Sequence, residues 1–268
     1  RFIWTTRIGD VMNLFNGIMC FILGSVLASF YGVMAERLPL GKSIVKPRSH
    51  CDYCNHPLAF YELVPIFSYL FLKGKCSSCH HKLPKTMLIT EIFLGLSFSL
   101  SYFYYGFSYY FLISLFLFSL FDLIFLTDIK YMIILDSPLI VSALGIFLLQ
   151  WFFYGLSFAL SRILAGVILF FFMFFIGLLG KFLFKREALG GGDIKLSFLF
   201  GLILGLPHGL MALILSTFLA LPYATFTLYS SHTKELPYGP FLISALCLVF
   251  FFYDKFSWFL DFLFQVRF

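Results

Sequence analysis

Apolar residues run along the chain in long stretches, at about 13–35, 86–105, 110–127, 132–153, 157–180, 194–206, 209–229 and 239–253. Runs of this length approach the roughly 20 residues a helix needs to cross hydrocarbon, and they predict an all-α polytopic membrane protein of about eight spanning helices. The sixth run is short, and only Tyr105 to Tyr109 separate the second from the third. Six or seven spans follow if one pair is re-entrant or misdivided. One polar stretch of any length interrupts the pattern, so the expected division is a first helix over 13–36, a loop over 37–85, a membrane domain over 86–253 and a tail over 254–268. No small-residue cleavage site follows the first run, which is expected to be retained as a helix; residues 1–11, RFIWTTRIGDV, are assigned no role.

Composition agrees: 61% of residues are hydrophobic, 12% charged, and forty are Phe, with a mean hydropathy of +0.95. That many aromatic residues exceed what one soluble core of this size hides. The net charge of +6 is not a nucleic-acid footprint, because the basic residues fall between apolar runs instead of forming a stripe. Eight of the nineteen lie in residues 37–85: Arg37, Lys42, Lys46, Arg48, Lys73, Lys75, Lys82 and Lys85. The positive-inside rule puts this loop in the cytoplasm. Alternate threading adds Lys130, Lys181, Lys185, Arg186, Lys195 and Lys234, giving fourteen against five for Arg1, Arg7, Arg162, Lys255 and Arg267.

Carboxylates inside apolar runs are the most informative residues, since a charge at membrane depth costs about 2.5–3.5 kcal/mol even on the lenient insertion scale. Asp128 closes the third run in FLTDIKYMIILDSP, Asp136 follows eight residues later, and Asp193 sits in ALGGGDIKLSF. Threading returns both regions to the cytoplasmic boundary. A carboxylate pair is what metal-free peptide hydrolysis requires: one takes a proton from water while the other, protonated, polarises the scissile carbonyl. Gly190, Gly191 and Gly192 lack Cβ atoms and let a substrate or a neighbouring helix approach Asp193. The competing reading is helix capping, and Asp122 and Asp136 compete with Asp128 for the intramembrane role. Lys130 and Lys195, each two positions after its aspartate, read as basic residues placed at helix ends by topology.

Two C-x2-C pairs, Cys51/Cys54 and Cys76/Cys79, are separated by 21 residues. This is close to the spacing of a zinc ribbon, with four thiolates filling a tetrahedron around a structural ion. Placement in the cytoplasm argues against disulfides. His50, His56, His80 and His81 stand beside the cysteines and read as solvated loop residues, and Cys20 and Cys247 read as small core residues.

Taken in order, these features resemble the type IV prepilin peptidases, intramembrane aspartic proteases of the GxGD type. The resemblance rests on Gly24-Ser25-Val26-Leu27-Ala28-Ser29, Arg37-Leu38-Pro39, Pro47-Arg48-Ser49-His50-Cys51, Leu63 to Leu70, Gly74-Lys75-Cys76, Glu91 and Pro237-Tyr238-Gly239-Pro240. It implies Asp128 and Asp193 as the catalytic residues, selecting among aspartates that position alone leaves open, with Gly190, Gly192, Asp136 and Lys130 as support. The implied reaction is endoproteolysis of a prepilin or pseudopilin leader at the bacterial cytoplasmic membrane, with no metal needed for the cleavage. It also implies N-methylation of the new terminus from S-adenosylmethionine. The expected partners are the prepilin and membrane lipid, with no nucleic acid. Two other classes fit the same residues: a transporter whose aspartates relay protons or bind cations, and a membrane scaffold for pilus or secretion assembly.

Overall fold

The computed structural model describes residues 2–51, 53–185, 189–230 and 236–264. Of the basic residues used to set the topology, Arg1, Arg186, Lys234 and Arg267 lie outside the described residues. The helices are α1 (Phe2–Arg37), α2 (Phe67–Phe71), α3 (Lys85–Tyr105), α4 (Tyr109–Tyr131), α5 (Asp136–Tyr154), α6 (Leu156–Phe184), α7 (Gly191–Leu204), α8 (Leu206–Ser230), α9 (Gly239–Phe251) and α10 (Tyr253–Phe264). No strand occurs among the described residues; two isolated bridges in the loop are all the β pairing they contain.

Each of the eight apolar runs is helical, but not all are simple crossings. Six helices, α1, α3, α4, α5, α6 and α8, are long and apolar enough to span a membrane, and α9 with α10 qualifies as a seventh if the pair, bent by 87°, is one span. At 14 residues α7 rises about 21 Å, short of a hydrocarbon core about 30 Å thick. The chain is therefore a multi-pass membrane protein with six or seven candidate spans. At the N-terminus α1 begins at Phe2, well before the first apolar run, because nothing in residues 2–12 breaks a helix except Gly9, which is tolerated. Beyond the last run, α10 mixes Asp254, Lys255 and Asp261 with Trp258, Phe259 and Phe262. That alternation gives no continuous apolar signal, yet it suits a helix lying at an interface.

The chain forms two compact units, Arg1–Leu126 and Thr127–Phe268. In the first, α1 and α3 pack through small residues. A Cβ on Gly24 would fall 2.6 Å from the Leu94 carbonyl oxygen, and one on Gly95 would fall 2.5 Å from Ser25 Oγ. Such close backbone approach is how helices associate in lipid, where apolar burial gives no advantage over hydrocarbon. The Ser25 hydroxyl satisfies itself on the Glu91 carbonyl at 3.0 Å, and Tyr102 receives Asn16 Nδ2 at 2.9 Å while donating to Asn13 at 3.2 Å.

In the second unit α6 and α7 are joined by the same device. A Cβ on Gly201 would collide with the Ala165–Gly166 peptide, and one on Gly166 would sit 2.7 Å from the Phe198 carbonyl oxygen. Gln150, fully buried on α5, donates to the Leu202 carbonyl at 2.7 Å. A single residue separates α5 from α6 and α7 from α8: Gly155 and Gly205, at φ +85° and +80°. Each N–H still closes the preceding helix, on Trp151 and Gly201 respectively. Only glycine reaches that backbone conformation without strain.

Candidate active site

Asp128 and Asp193 both belong to the second unit, and local backbone geometry holds each. Asp128 lies in the last turn of α4 and is 6% exposed. Its carbonyl accepts the N–H of Met132, a residue at φ +54° that ends the helix. Its carboxylate Oδ2 accepts the N–H of Gly239 at 2.9 Å, a buried bond spanning 111 residues of sequence. Gly239 opens α9, so the bond uses one of the helix's unsatisfied first-turn amides, and the positive end of the helix dipole faces the carboxylate.

Asp193 is the third residue of α7, half-buried. Its N–H bonds the Gly190 carbonyl at 3.1 Å, and its carboxylate reaches back to the Gly190 N–H. Asp193 therefore also caps its helix, the reciprocal arrangement of a first-turn acid. The glycines differ in what they permit. A Cβ on Gly192 would lie 2.7 Å from Ile134 Cβ, one on Gly190 would lie 3.0 Å from Asp193 Oδ2, and one on Gly191 would meet nothing within 4 Å. Gly192 is thus the position where the segment after Asp128 presses on the turn before Asp193, and the two aspartates lie in each other's electrostatic field.

Lys195, read from sequence as a topological residue, pairs with Asp136: Nζ lies 2.7 Å from Oδ1 and 2.8 Å from Oδ2. The pair ties α5 to α7 from positions eight residues after Asp128 and two after Asp193. Both side chains are about half exposed, at 51% and 56%, so the bond contributes at most about 1 kcal/mol to stability. Lys130 is exposed, its ammonium 5.1 Å from the Tyr131 ring centroid. Tyr238 shares a 2.7 Å hydrogen bond with Ser216 and lies in the field of Asp193. Sequence reasoning gave Tyr238 and Gly239 no role at the aspartates, although the Pro-Tyr-Gly-Pro motif at the start of the last apolar run was the available signal. Beside the Asp136–Lys195 pair opens an apolar cavity of about 660 Å3 between α5, α6 and α7, lined by residues such as Leu139, Ala143, Phe147, Val167 and Phe198.

The cysteine loop belongs to the first unit and holds two matching knuckles. Cys51 N–H bonds the His56 carbonyl at 3.0 Å, as Cys76 N–H bonds His81 at 2.9 Å. Asn55 and His80, one residue past each pair, both sit at φ +56°. All four sulfurs lie within 4.8 Å of one another; Cys51–Cys79 and Cys54–Cys76 are 3.8 and 3.9 Å apart. Four thiolates at Zn–S distances of about 2.3 Å stand about 3.8 Å apart in a tetrahedron, so the donor set fits zinc and is capable of holding a metal. N–H groups of Cys79 and Ser78 directed at the Cys76 sulfur bring its thiol down to about 6, while the Cys79 thiol, despite the His81 N–H, is pushed up to about 11 by desolvation and the neighbouring sulfurs. His50 instead contacts the Arg48 carbonyl and His56 lies near Glu62.

A family model described as Bacterial Peptidase A24 N-terminal domain matches residues 22–105, and one described as Type IV leader peptidase family matches residues 115–225. The first range holds the cysteine loop and the second holds Asp128, Asp136, Asp193 and Lys195. Over 195 residues the chain is 33% identical to a prepilin leader peptidase/N-methyltransferase of Bacillus subtilis (strain 168), covering 69% of this chain and 72% of the relative. A protein of the same name from Vibrio cholerae is 33% identical over 204 residues, 69% of this chain and 76% of its own. Another from Myxococcus xanthus is 31% identical over 187 residues, of whose length the chain spans 56%. No solved structure matches the chain. With the two family models matched in order along the chain, and relatives a third identical over most of its length, the chain belongs to the type IV leader peptidase family.

Proposed function

We propose that the chain is a membrane aspartic endopeptidase that removes the leader of a type IV prepilin or pseudopilin, with Asp128 and Asp193 as its catalytic pair. The observation that carries the reading is the convergence of two segments 65 residues apart, each presenting one aspartate held by backbone N–H groups. Two facing carboxylates share a proton. The ionised member takes a proton from water, whose oxygen attacks the scissile carbonyl carbon while the protonated member donates to the carbonyl oxygen. Collapse of the tetrahedral intermediate breaks the C–N bond, and a proton passes to the leaving amine. Preorganisation is the protein's contribution: backbone N–H groups orient both carboxylates before substrate arrives.

Membership of the family supports a prepilin as substrate, and the eight basic residues within 37–85, followed by the two crossings α3 and α4 that return the chain to the same side at Asp128, support a cytoplasmic site in the bacterial inner membrane. A leader stays in water on that side while the apolar stem enters the lipid. The cavity beside Asp136 and Lys195 suits that stem, with apolar walls from α5, α6 and α7 and that ion pair as its polar lining. The cysteine loop holds a structural zinc through Cys51, Cys54, Cys76 and Cys79; with four protein sulfurs the ion would keep no open position for water. Relatives named N-methyltransferases support methylation of the new terminus, with S-adenosylmethionine as the donor. The one glycine-rich run does not fit a nucleoside, because Gly192 is filled by Ile134 and Gly190 faces the Asp193 carboxylate, and no step of methyl transfer is assigned to it.

The test is separate conversion of Asp128 and Asp193 to Asn with a co-expressed prepilin. Leader removal, read on a gel, is abolished in each; cleavage that survives either change rules out the pair.

A further inference from the structure

A second acidic constellation lies in the first unit. Asp122, six residues before Asp128 on α4, is 1% exposed, and neither carboxylate oxygen has a hydrogen-bond partner. Buried polar groups are almost always paired, and an orphaned carboxylate at membrane depth is among the costliest groups a protein can carry. It is not alone. Glu91 of α3, 5% exposed, stands in its field. So does Tyr31 of α1, which shares a hydrogen bond with Ser119 of α4. Glu91 is itself anchored: Oε2 accepts the Ile66 N–H at 2.7 Å, and the Ser29 hydroxyl is a further partner. Two enclosed acids with no cationic side chain between them among these neighbours leave a negative centre lined by hydroxyls.

We infer that Asp122, Glu91, Tyr31 and Ser119 form a structural site for one dehydrated monovalent cation of sodium size, which joins α1, α3 and α4. The donors are all hard oxygens, as an alkali or alkaline-earth cation requires. Their number sets the charge class. Asp122 offers two oxygens, Glu91 at most the one not held by Ile66, which the Ser29 hydroxyl also approaches, and Tyr31 and Ser119 one each, so the count is at most five. Calcium takes about six to eight oxygens, and magnesium keeps several waters that so enclosed a site does not supply. One monovalent ion with one shared proton leaves the two carboxylates neutral overall. Because Glu91 also holds Ile66, the ion would fix the root of the cysteine loop as well as three spans. The site holds its ion in place and is separate from Asp128 and Asp193.

The test uses the full-length protein in detergent with choline as the background cation. Adding sodium is expected to raise the unfolding temperature on the order of 5 °C at saturation, and equilibrium binding of radioactive sodium is expected to reach one ion per chain. Asp122→Asn removes the negative charge while keeping the shape. It is expected to lose bound sodium and the sodium-dependent shift, to be at least as stable as the parent in choline, and to retain leader cleavage. Absence of sodium binding in the parent at neutral pH, or an equal shift in Asp122→Asn, overturns the inference and leaves a pair that holds protons alone. Loss of leader cleavage in Asp128→Asn bears on the peptidase and not on this site.

Discussion

Substituting alanine at each of Gly190, Gly191 and Gly192 tests how Asp193 is positioned, because the three differ by one methyl at adjacent positions. At Gly192 the new Cβ falls 2.7 Å from Ile134 Cβ, with Ile134 Cγ1 and Cδ1 at 3.2 and 3.4 Å. Carbon atoms rest about 3.5–4.0 Å apart, so the turn before Asp193 and the segment after Asp128 must separate by about 1 Å. Overpacking of this kind costs about 1–3 kcal/mol, and a 1 Å displacement of a catalytic group lowers a rate by about 100-fold. At Gly191 the methyl enters open space, and the rate should stay within about twofold of the parent. Gly190→Ala, with its Cβ 3.0 Å from Asp193 Oδ2, should fall between them. The assay is the initial rate of leader removal from a purified prepilin in detergent, with unfolding temperature measured alongside. Ile134→Gly removes all three of the atoms nearest the new methyl, the Cβ at 2.7 Å included, and should restore part of the Gly192→Ala activity. If Gly191→Ala is as damaging as Gly192→Ala, the triplet acts through flexibility or substrate contact, and the packing argument is refuted.

Replacing Lys195 with Gln or Asp136 with Asn should lower cleavage by up to about fivefold, the worth of a half-exposed pair, while the double reversal Asp136→Lys with Lys195→Asp recovers part of it; equal losses in all three would show no coupling. Ala143→Trp fills the cavity between α5, α6 and α7 and should raise KM for prepilin more than it lowers kcat, whereas an unchanged KM would place the stem elsewhere. Gly201→Val should deplete folded protein, since its side chain would overlap the Ala165–Gly166 peptide, a penalty of about 3 kcal/mol or more; protease resistance in membranes reads it. The purified protein should carry one zinc per chain, and Cys51→Ser with chelation should release it and loosen the loop while cleavage persists; loss of cleavage with the metal would assign zinc a part in proteolysis.

Hydrophobicity made the membrane architecture legible, since runs of lipid-compatible residues need no tertiary context to be recognised. It was less informative where length and polarity diverge. After Asp193 and Lys195 in its first turns α7 is mostly apolar, yet its 14 residues are too short to span, and α10 is helical although its charges break the apolar signal. The tetracysteine cluster was readable because its ligands come in local pairs, and knuckle geometry follows from the C-x2-C spacing. The aspartates were visible as costly residues and Asp136 as a support, whereas the partner of Asp136 was not. Asp136 and Lys195 are 59 residues apart, and a single lysine at a helix end gives no sign of its partner. Gly239 acts through its backbone N–H, a group every residue but proline carries, so nothing about its side chain reveals it. For Asp122, sequence registered a competitor to Asp128, while its orphaned oxygens depend on how α1, α3 and α4 pack.

The most direct measurement is prepilin cleavage by Asp128→Asn, Asp193→Asn and the double variant, followed by mass spectrometry of the product termini. If the two carboxylates act as one unit, each single change abolishes leader removal and the double variant is no worse than either, because residues that act together are not additive. Cleavage at the parent junction by either single variant, with rates that multiply in the double, would contradict a shared catalytic pair.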